Sequence, residues 1–269
     1  MKTIVMANHK GGCAKTTTAL NVSVALAMTG SRVLAVDLDP QGNLSAALGA
    51  DLQELEETRR TSHRLMLDEK GDYSPYLFTS RPRLDVLPSC LDSDVEAMLD
   101  GQAVSRELLL KQKLLPARLS YDYCVIDTPP ALRVPTLNAL AMSDLTIVPI
   151  ETSMFALLGL GQLLRIIAKV RRAHAPDMLV MALSTVHTTR QNLDKEVRAK
   201  VTEKFTEDFV FRTTIPRTVA VGEATATLQA IVETNPEVNS SFAFRKLVVE
   251  IKEVLGDEES RPQEVKRRA

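Results

Sequence analysis

Between a short apolar run, Thr3-Ile4-Val5-Met6-Ala7, and a stretch of small helix formers lies Lys10-Gly11-Gly12-Cys13-Ala14-Lys15-Thr16-Thr17. Few folds accommodate a strand, a glycine loop and a helix in that order. Gly11 and Gly12 carry no Cβ, so their amides can approach phosphate oxygens, and a helix opening near Thr16 adds the positive end of its dipole. In such a loop Lys15 reaches the β- and γ-phosphates and Thr16 supplies a hydroxyl for magnesium. Leu20, Val24 and Leu26 among alanines predict the helix from Thr17 to Met28, with Gly30 as its stop. Lys10 is one lysine more than a phosphate loop needs. Its amine reaches phosphates held either by its own subunit or by a facing one, and in the second case nucleotide occupancy becomes a reason to dimerise. Ala14 stands where the usual pattern has glycine. With so small a side chain the cradle is expected to survive, its affinity open to change.

The rest of the chain extends this beginning into an α/β pattern. Arg32–Val36 is a second apolar run, ending in Asp37-Leu38-Asp39-Pro40-Gln41-Gly42-Asn43, and Tyr121–Ile126 is a third, ending in Asp127-Thr128-Pro129-Pro130. Leu84–Ser89, Leu145–Pro149, Met178–Leu183 and Phe209–Phe211 read as further strands, with helical stretches such as Leu157–Arg172 and Leu193–Phe205 between them. Alternation of this kind predicts a mostly parallel twisted sheet flanked by helices on both faces, with ligands at the carboxyl ends of the strands. The acidic motifs fall at those ends. From Asp51 to about Pro82 the chain is polar and poorly patterned, which reads as a surface excursion with at most short helices. One domain is expected over residues 1–256. Residues 257–269 form a charged tail expected to be disordered.

With 45% hydrophobic and 25% charged residues, the 269-residue chain has the composition of an ordinary soluble globular protein. Its formal net charge is -1, so any nucleic-acid contact must come from a local patch. Cys13, Cys90 and Cys124 lie far apart without metal-ligand spacing, which suggests a reducing cytoplasm. Met1 and Lys2 lead straight into the first strand, so no signal peptide is expected, and no apolar run reaches membrane-spanning length.

Chemistry can be assigned to these positions. Thr16 ligates magnesium, Asp127 orients the waters of that ion, and Asp39, which stands with them around the metal near the γ-phosphate, positions the attacking water. Lys15, Lys10 and the metal then act mainly by neutralising charge. A plain turn is the alternative for Asp37 and Asp39, since Asp-Pro and Gly-Asn both form turns. Cys13, beside lysines and a helix start, would sense oxidation if its thiolate were favoured; otherwise it is a small loop residue. His9 reads as a packing residue at a strand end. Met154, Phe155, Leu157 and Leu158 read as core rather than a partner surface.

Lys10-Gly-Gly-x-x-Lys15-Thr-Thr, Asp37-Leu-Asp39-Pro-Gln-Gly-Asn, Asp127-Thr-Pro-Pro, and Thr214-Ile215-Pro216-Arg217 followed by Glu223-Ala224 together resemble the ParA/MinD family of deviant phosphate-loop ATPases, on the ParA side. The resemblance implies an ATP-sandwich homodimer in which Lys10 reaches the partner's nucleotide, with slow hydrolysis and a switch around Asp39–Asn43 and Asp127–Pro130. It implies that Pro216 and Arg217 lie beside the nucleotide. It further implies that ATP-bound dimers coat the nucleoid through nonspecific double-stranded DNA, until a ParB-like or other cargo adaptor stimulates hydrolysis. Arg190 and Arg217 match DNA-contacting positions in similar proteins, and Lys195 and Arg198 lie near Arg190. Helical lysines and arginines spaced in this way also make ordinary solvated faces.

Two further expectations concern the ends of the chain. The first strand begins at Lys2, which leaves no room for an operator-reading amino-terminal region. The last residues, Glu259–Ala269, offer one valine and a proline rather than an amphipathic membrane helix, so no membrane partner is expected. Two alternatives remain at this stage. One is an ATPase of the same fold in metabolism or metal-cluster assembly, related to nitrogenase iron protein. The other is a nucleotide-dependent scaffold without turnover, which Ala14 leaves open.

Overall fold

The computed structural model describes residues 1–69, 71–92, 94–101, 106–151, 159–185, 205, 209–218, 220–221, 224 and 227–257. Seven strands form one sheet: β1 (Lys2–Met6), β2 (Val33–Asp37), β3 (Phe78–Arg81), β4 (Leu84–Leu87), β5 (Tyr123–Asp127), β6 (Leu145–Glu151) and β7 (Leu179–Thr185). Their order is β3-β4-β2-β5-β1-β6-β7, and every pairing is parallel except β3 with β4. A parallel sheet needs cover on both faces, and the strand sequences show it, since both alternating sets of side chains are apolar. Ile4, Met6, Val33, Ala35 and Val125 join the core on one face; Val5, Leu34, Val36, Cys124 and Ile126 join that on the other.

Helices α1 (Lys15–Met28), α2 (Asn43–Ala47), α3 (Leu52–Thr58), α4 (Ser62–Leu67), α5 (Val95–Asp100), α6 (Leu109–Lys113), α7 (Val134–Ala141), α8 (Leu160–His174), α9 (Ile231–Thr234) and α10 (Asn239–Val254) supply that cover. Leu20, Val24 and Leu26 of α1 pack with Phe244, Leu247 and Ile251 of α10 over the first face. Leu65 of α4, Leu140 of α7 and Leu163 and Ile167 of α8 cover the second. Asn21 Oδ1 in α1 accepts the Val232 N–H at 3.2 Å, which ties α9 to the same layer.

Two expectations are corrected. The stretch from 51 to 82 is not a surface excursion, because Thr61, Ser62, His63, Leu65 and Met66 are buried and Phe78–Arg81 adds an antiparallel edge strand. Phe209–Phe211 is not a full strand. Val210 makes an isolated parallel bridge to Ala182, with the Phe211 N–H on the Ala182 carbonyl at 2.9 Å. Among the described residues, no helix is long and apolar enough to cross a membrane.

Candidate functional site

Register brings the site together. Met6 of β1 and Asp37 of β2 both pair with Asp127 of β5, so two acids end adjacent strands where the glycine loop begins. Neighbouring strands strap that loop: Asn8 Nδ2 donates to the Pro149 carbonyl at 2.7 Å, and Thr185 Oγ1 to the Cys13 carbonyl at 3.0 Å. Ala14 precedes α1 in the left-handed region, with φ 66° and ψ 33°, and its side chain caps nothing. The first-turn amides of α1 are therefore left to an anion. For alanine this conformation costs about 1–2 kcal/mol.

Beneath the loop lies an acidic floor. Thr16 Oγ1 donates to Asp127 Oδ2 at 2.6 Å, while the buried Asp127 Oδ1 takes no hydrogen bond. Asp37 is better satisfied: Oδ1 accepts the Asp39 N–H at 3.0 Å, and Oδ2 accepts the N–H and hydroxyl of Ser45 at 2.9 and 2.7 Å. Burial first, and then repulsion between these carboxylates, raises the proton affinity of Asp127 well above the usual carboxylate range; burial does the same to Asp37. A hydroxyl, an orphaned carboxylate oxygen and charge wanting neutralisation suit a hard divalent cation that takes few protein ligands, which is how magnesium binds beside phosphates. The residues fit that ion.

Above the floor opens a cleft of about 360 Å³, lined by Gly11, Gly12, Ala14, Lys15, Thr16, Thr17, Leu20, Asp39, Asn43, Ala47, Pro130 and Leu228. Lys15, only 7% exposed, donates through Nζ to the Lys10 carbonyl at 3.2 Å. Asp39 Oδ1 accepts the Gln41 N–H at 3.0 Å, so the turn expected there exists and presents Asp39 to the cleft as well. Lys10 Nζ lies 2.9 Å from Glu151 Oε2.

Of the other sequence-named positions, Pro216 is half-buried and Arg217 exposed, both outside this lining. The adjacent Ile215 N–H bonds the Ser184 carbonyl at 2.9 Å, which holds the turn against β7. Arg190, Lys195 and Arg198 lie outside the described residues, as do Met154, Phe155, Leu157, Leu158 and most of Leu193–Phe205. The oxidation-sensing reading of Cys13 is overturned: the thiol is 1% exposed, and burial raises its pKa against the opposing pull of Lys15. His9 packs as expected. A Cβ on Gly159, where φ is +77°, would stand 2.2 Å from His9 Nε2, so glycine before α8 makes room for the ring. Glu151 and Leu228 were missed, having no local pattern, whereas Asn43 and Pro130 already stood in the motifs.

Comparison with known proteins agrees with this fold. The AAA domain family model matches residues 1–180. The sporulation initiation inhibitor protein Soj of Bacillus subtilis (strain 168) is 34% identical over 254 residues, 93% of this chain and 98% of that protein. The chromosome partitioning protein ParA of Caulobacter vibrioides is 36% identical over 255 residues, 93% of this chain and 94% of its own. This chain belongs to the ParA/MinD family of phosphate-loop ATPases. A solved structure from Mycobacterium smegmatis, described as cobyrinic acid a,c-diamide synthase with bound ATP analog and magnesium, is 31% identical with a TM-score of 0.82, covering 97% of this chain and 98% of that one. A ParA/MinD-family loop is thus found here on its expected sheet, with Thr16 bonded to the acid that ends β5.

Proposed function

We propose that this chain binds ATP with magnesium, dimerises on it, and hydrolyses it slowly while positioning a cargo on duplex DNA through a cargo-bound adaptor protein. The observation that carries the reading is the cleft, where Lys15 and the glycine loop share a wall with Thr16 and Asp39, and Thr16 is bonded to the buried Asp127. Lys15 and the amides of Gly11, Gly12 and α1 hold the triphosphate, with Cys13 and Thr17 in the same cradle. Thr16 and Asp127 hold magnesium, which when bound neutralises phosphate charge. Asp39 orients the attacking water, Pro216 and Arg217 sit towards the base, and Lys10 extends to the triphosphate of a facing copy. Phosphoryl transfer asks mainly for positioning and charge, which these groups provide.

Nonspecific DNA binding has separate support. The exposed face of α8 carries Arg165, Lys169, Arg171 and Arg172, and the helix contains no acidic residue. Arg217 is exposed too, and Arg190, Lys195 and Arg198 add charge to the same proposal. The protein then works in the cytoplasm, on the nucleoid when ATP-bound, as one domain over residues 1–256. The test is retention on unrelated duplexes. Retention with ATP but not ADP is expected, with log affinity falling by about 0.9 per contacted phosphate for each decade of salt. Equal retention in both nucleotides, or none, would sink the proposal. A second reading, ATP use on a small-molecule acid, is favoured by the likeness to the Mycobacterium smegmatis protein. It requires turnover indifferent to DNA.

A further inference from the structure

We infer that Glu151 is a positioning residue for Lys10, holding its amine within the protomer and setting how much ATP is needed before that amine crosses to a partner. The inference rests on the dimer proposed above and names a control on it. Beyond β1 the chain stays beside β6, with backbone pairing ending at the Ala7 N–H on the Ile147 carbonyl. Met6 pairs with Ile147, Asn8 Nδ2 bonds the Pro149 carbonyl 141 residues on, and Lys10 Nζ meets Glu151 Oε2 at the same separation of 141. Alternate residues thus step from backbone pairing, to a side-chain hydrogen bond, to an ion pair. The β1/β6 register, extended by the Asn8 bond, carries the start of the loop to the end of β6, where the lysine meets the carboxylate.

The two lysines of the loop differ in how they are held. Lys15 rests on a neutral carbonyl, whereas Lys10 rests on a full negative charge at 2.9 Å, with side-chain exposures of 29% and 30% for the pair. An amine committed to Glu151 must leave it to meet a partner's phosphate. A half-exposed ion pair resists that move weakly, by about two- to fivefold in equilibrium.

The test is dimerisation of the full chain by analytical ultracentrifugation, titrating a nonhydrolysable ATP analogue with magnesium, for the parent and Glu151→Gln. The variant keeps the side chain's shape and loses its charge. Half-dimerisation of Glu151→Gln is expected at about two- to fivefold less analogue in low salt, with the gap closing as salt rises. An unchanged or raised midpoint overturns the inference. So does a gap that salt leaves intact, because a packing role would not be screened. If the parent itself fails to dimerise, the dimer reading falls and takes the inference with it; if only the variant's advantage is missing, the dimer reading stands.

Discussion

Two polar clusters lie buried near the carboxyl edge of the sheet, and burial drives each towards neutrality by a different route. In one, Asp37 and Asp127 sit side by side beneath the glycine loop, and an Asp127 oxygen lacks a hydrogen-bond partner. In the other, His63 of α4 is 1% exposed, with Nδ1 3.2 Å from Ser89 Oγ and Nε2 unpartnered. They are linked: Ser45 Oγ donates to Asp37 and accepts the Ser89 N–H at 2.8 Å, and Ser62 Oγ donates to the Asp37 carbonyl at 2.6 Å. Burial lowers the His63 pKa to about 4, so at neutral pH the ring has already lost its proton and the cluster is closed. The carboxylates reach neutrality by uptake rather than loss. They need protons or a cation, and the unpartnered oxygen lies beside Thr16, which lines the cleft. One cluster is finished structure; the other is chemistry waiting for charge.

The largest expected effect comes from making the acidic cluster resemble the neutral one. Asp127→Asn should lower magnesium-dependent ATP turnover by at least about 100-fold, or about 3 kcal/mol. The same change should stabilise the fold against urea by about 1–2 kcal/mol at pH 8 without magnesium, since a shift of one pKa unit is worth about 1.4 kcal/mol. A buried carboxyl with raised pKa favours the folded state when protonated, so its cost grows as pH rises from the ordinary carboxylate range through the folded value. The variant's advantage should therefore vanish near pH 4. Magnesium should stabilise the parent and not the variant. A variant that is less stable at pH 8 would break the comparison.

The second effect has the opposite sign of pH dependence. His63 binds a proton in the unfolded chain near 6.5 but in the fold only near 4, so stability attributable to it is lost as pH falls through that window. Between pH 6.5 and 5 the loss should be about 2 kcal/mol. His63→Gln removes it, and the difference between the two urea midpoints at several pH values isolates it from the carboxylates. A constant difference would mean that the ring titrates alike in both states.

The acidic cluster was legible in the sequence and the histidine cluster was not, for physical reasons. Asp37 and Asp127 each follow four apolar residues, and a parallel sheet aligns such ends whatever the intervening loops do. Ser62–Leu67 has six residues, too few for a helical period to declare itself, and its polar start looks solvated until Pro88 and Ser89 close over it. Edge strand Phe78–Arg81 buries no residue fully and shows no apolar alternation. Of the two readings of Cys13, the thiolate failed and the small loop residue stood. Nearby lysines suggested a thiolate, but adjacency in sequence says nothing of burial, and desolvation outweighs Lys15. Leu228 reaches the cleft wall from far along the chain, with only a turn to announce it.

The smallest effect carries the comparison from side chains to backbone. Four described non-glycine residues have positive φ: Ala14 and Leu228, which line the cleft, and Arg59 and Arg83, which do not. At Arg59 and Arg83 the strain is the ordinary cost of a turn, closed structure like His63. At Ala14 it is placed where an anion would draw on the α1 amides, which puts it with the acidic floor. Ala14→Gly relieves about 1–2 kcal/mol of left-handed strain but returns about 0.4–1 kcal/mol of unfolded-chain entropy, leaving a net gain near 0.5–1 kcal/mol. Arg83→Gly should gain a similar amount. Only Ala14→Gly should also alter affinity for a fluorescent ATP analogue, because it changes the freedom of amides that touch phosphate. If both variants gain stability and neither changes affinity, Ala14 is turn strain like the others, and the division between finished structure and poised chemistry stops at the side chains.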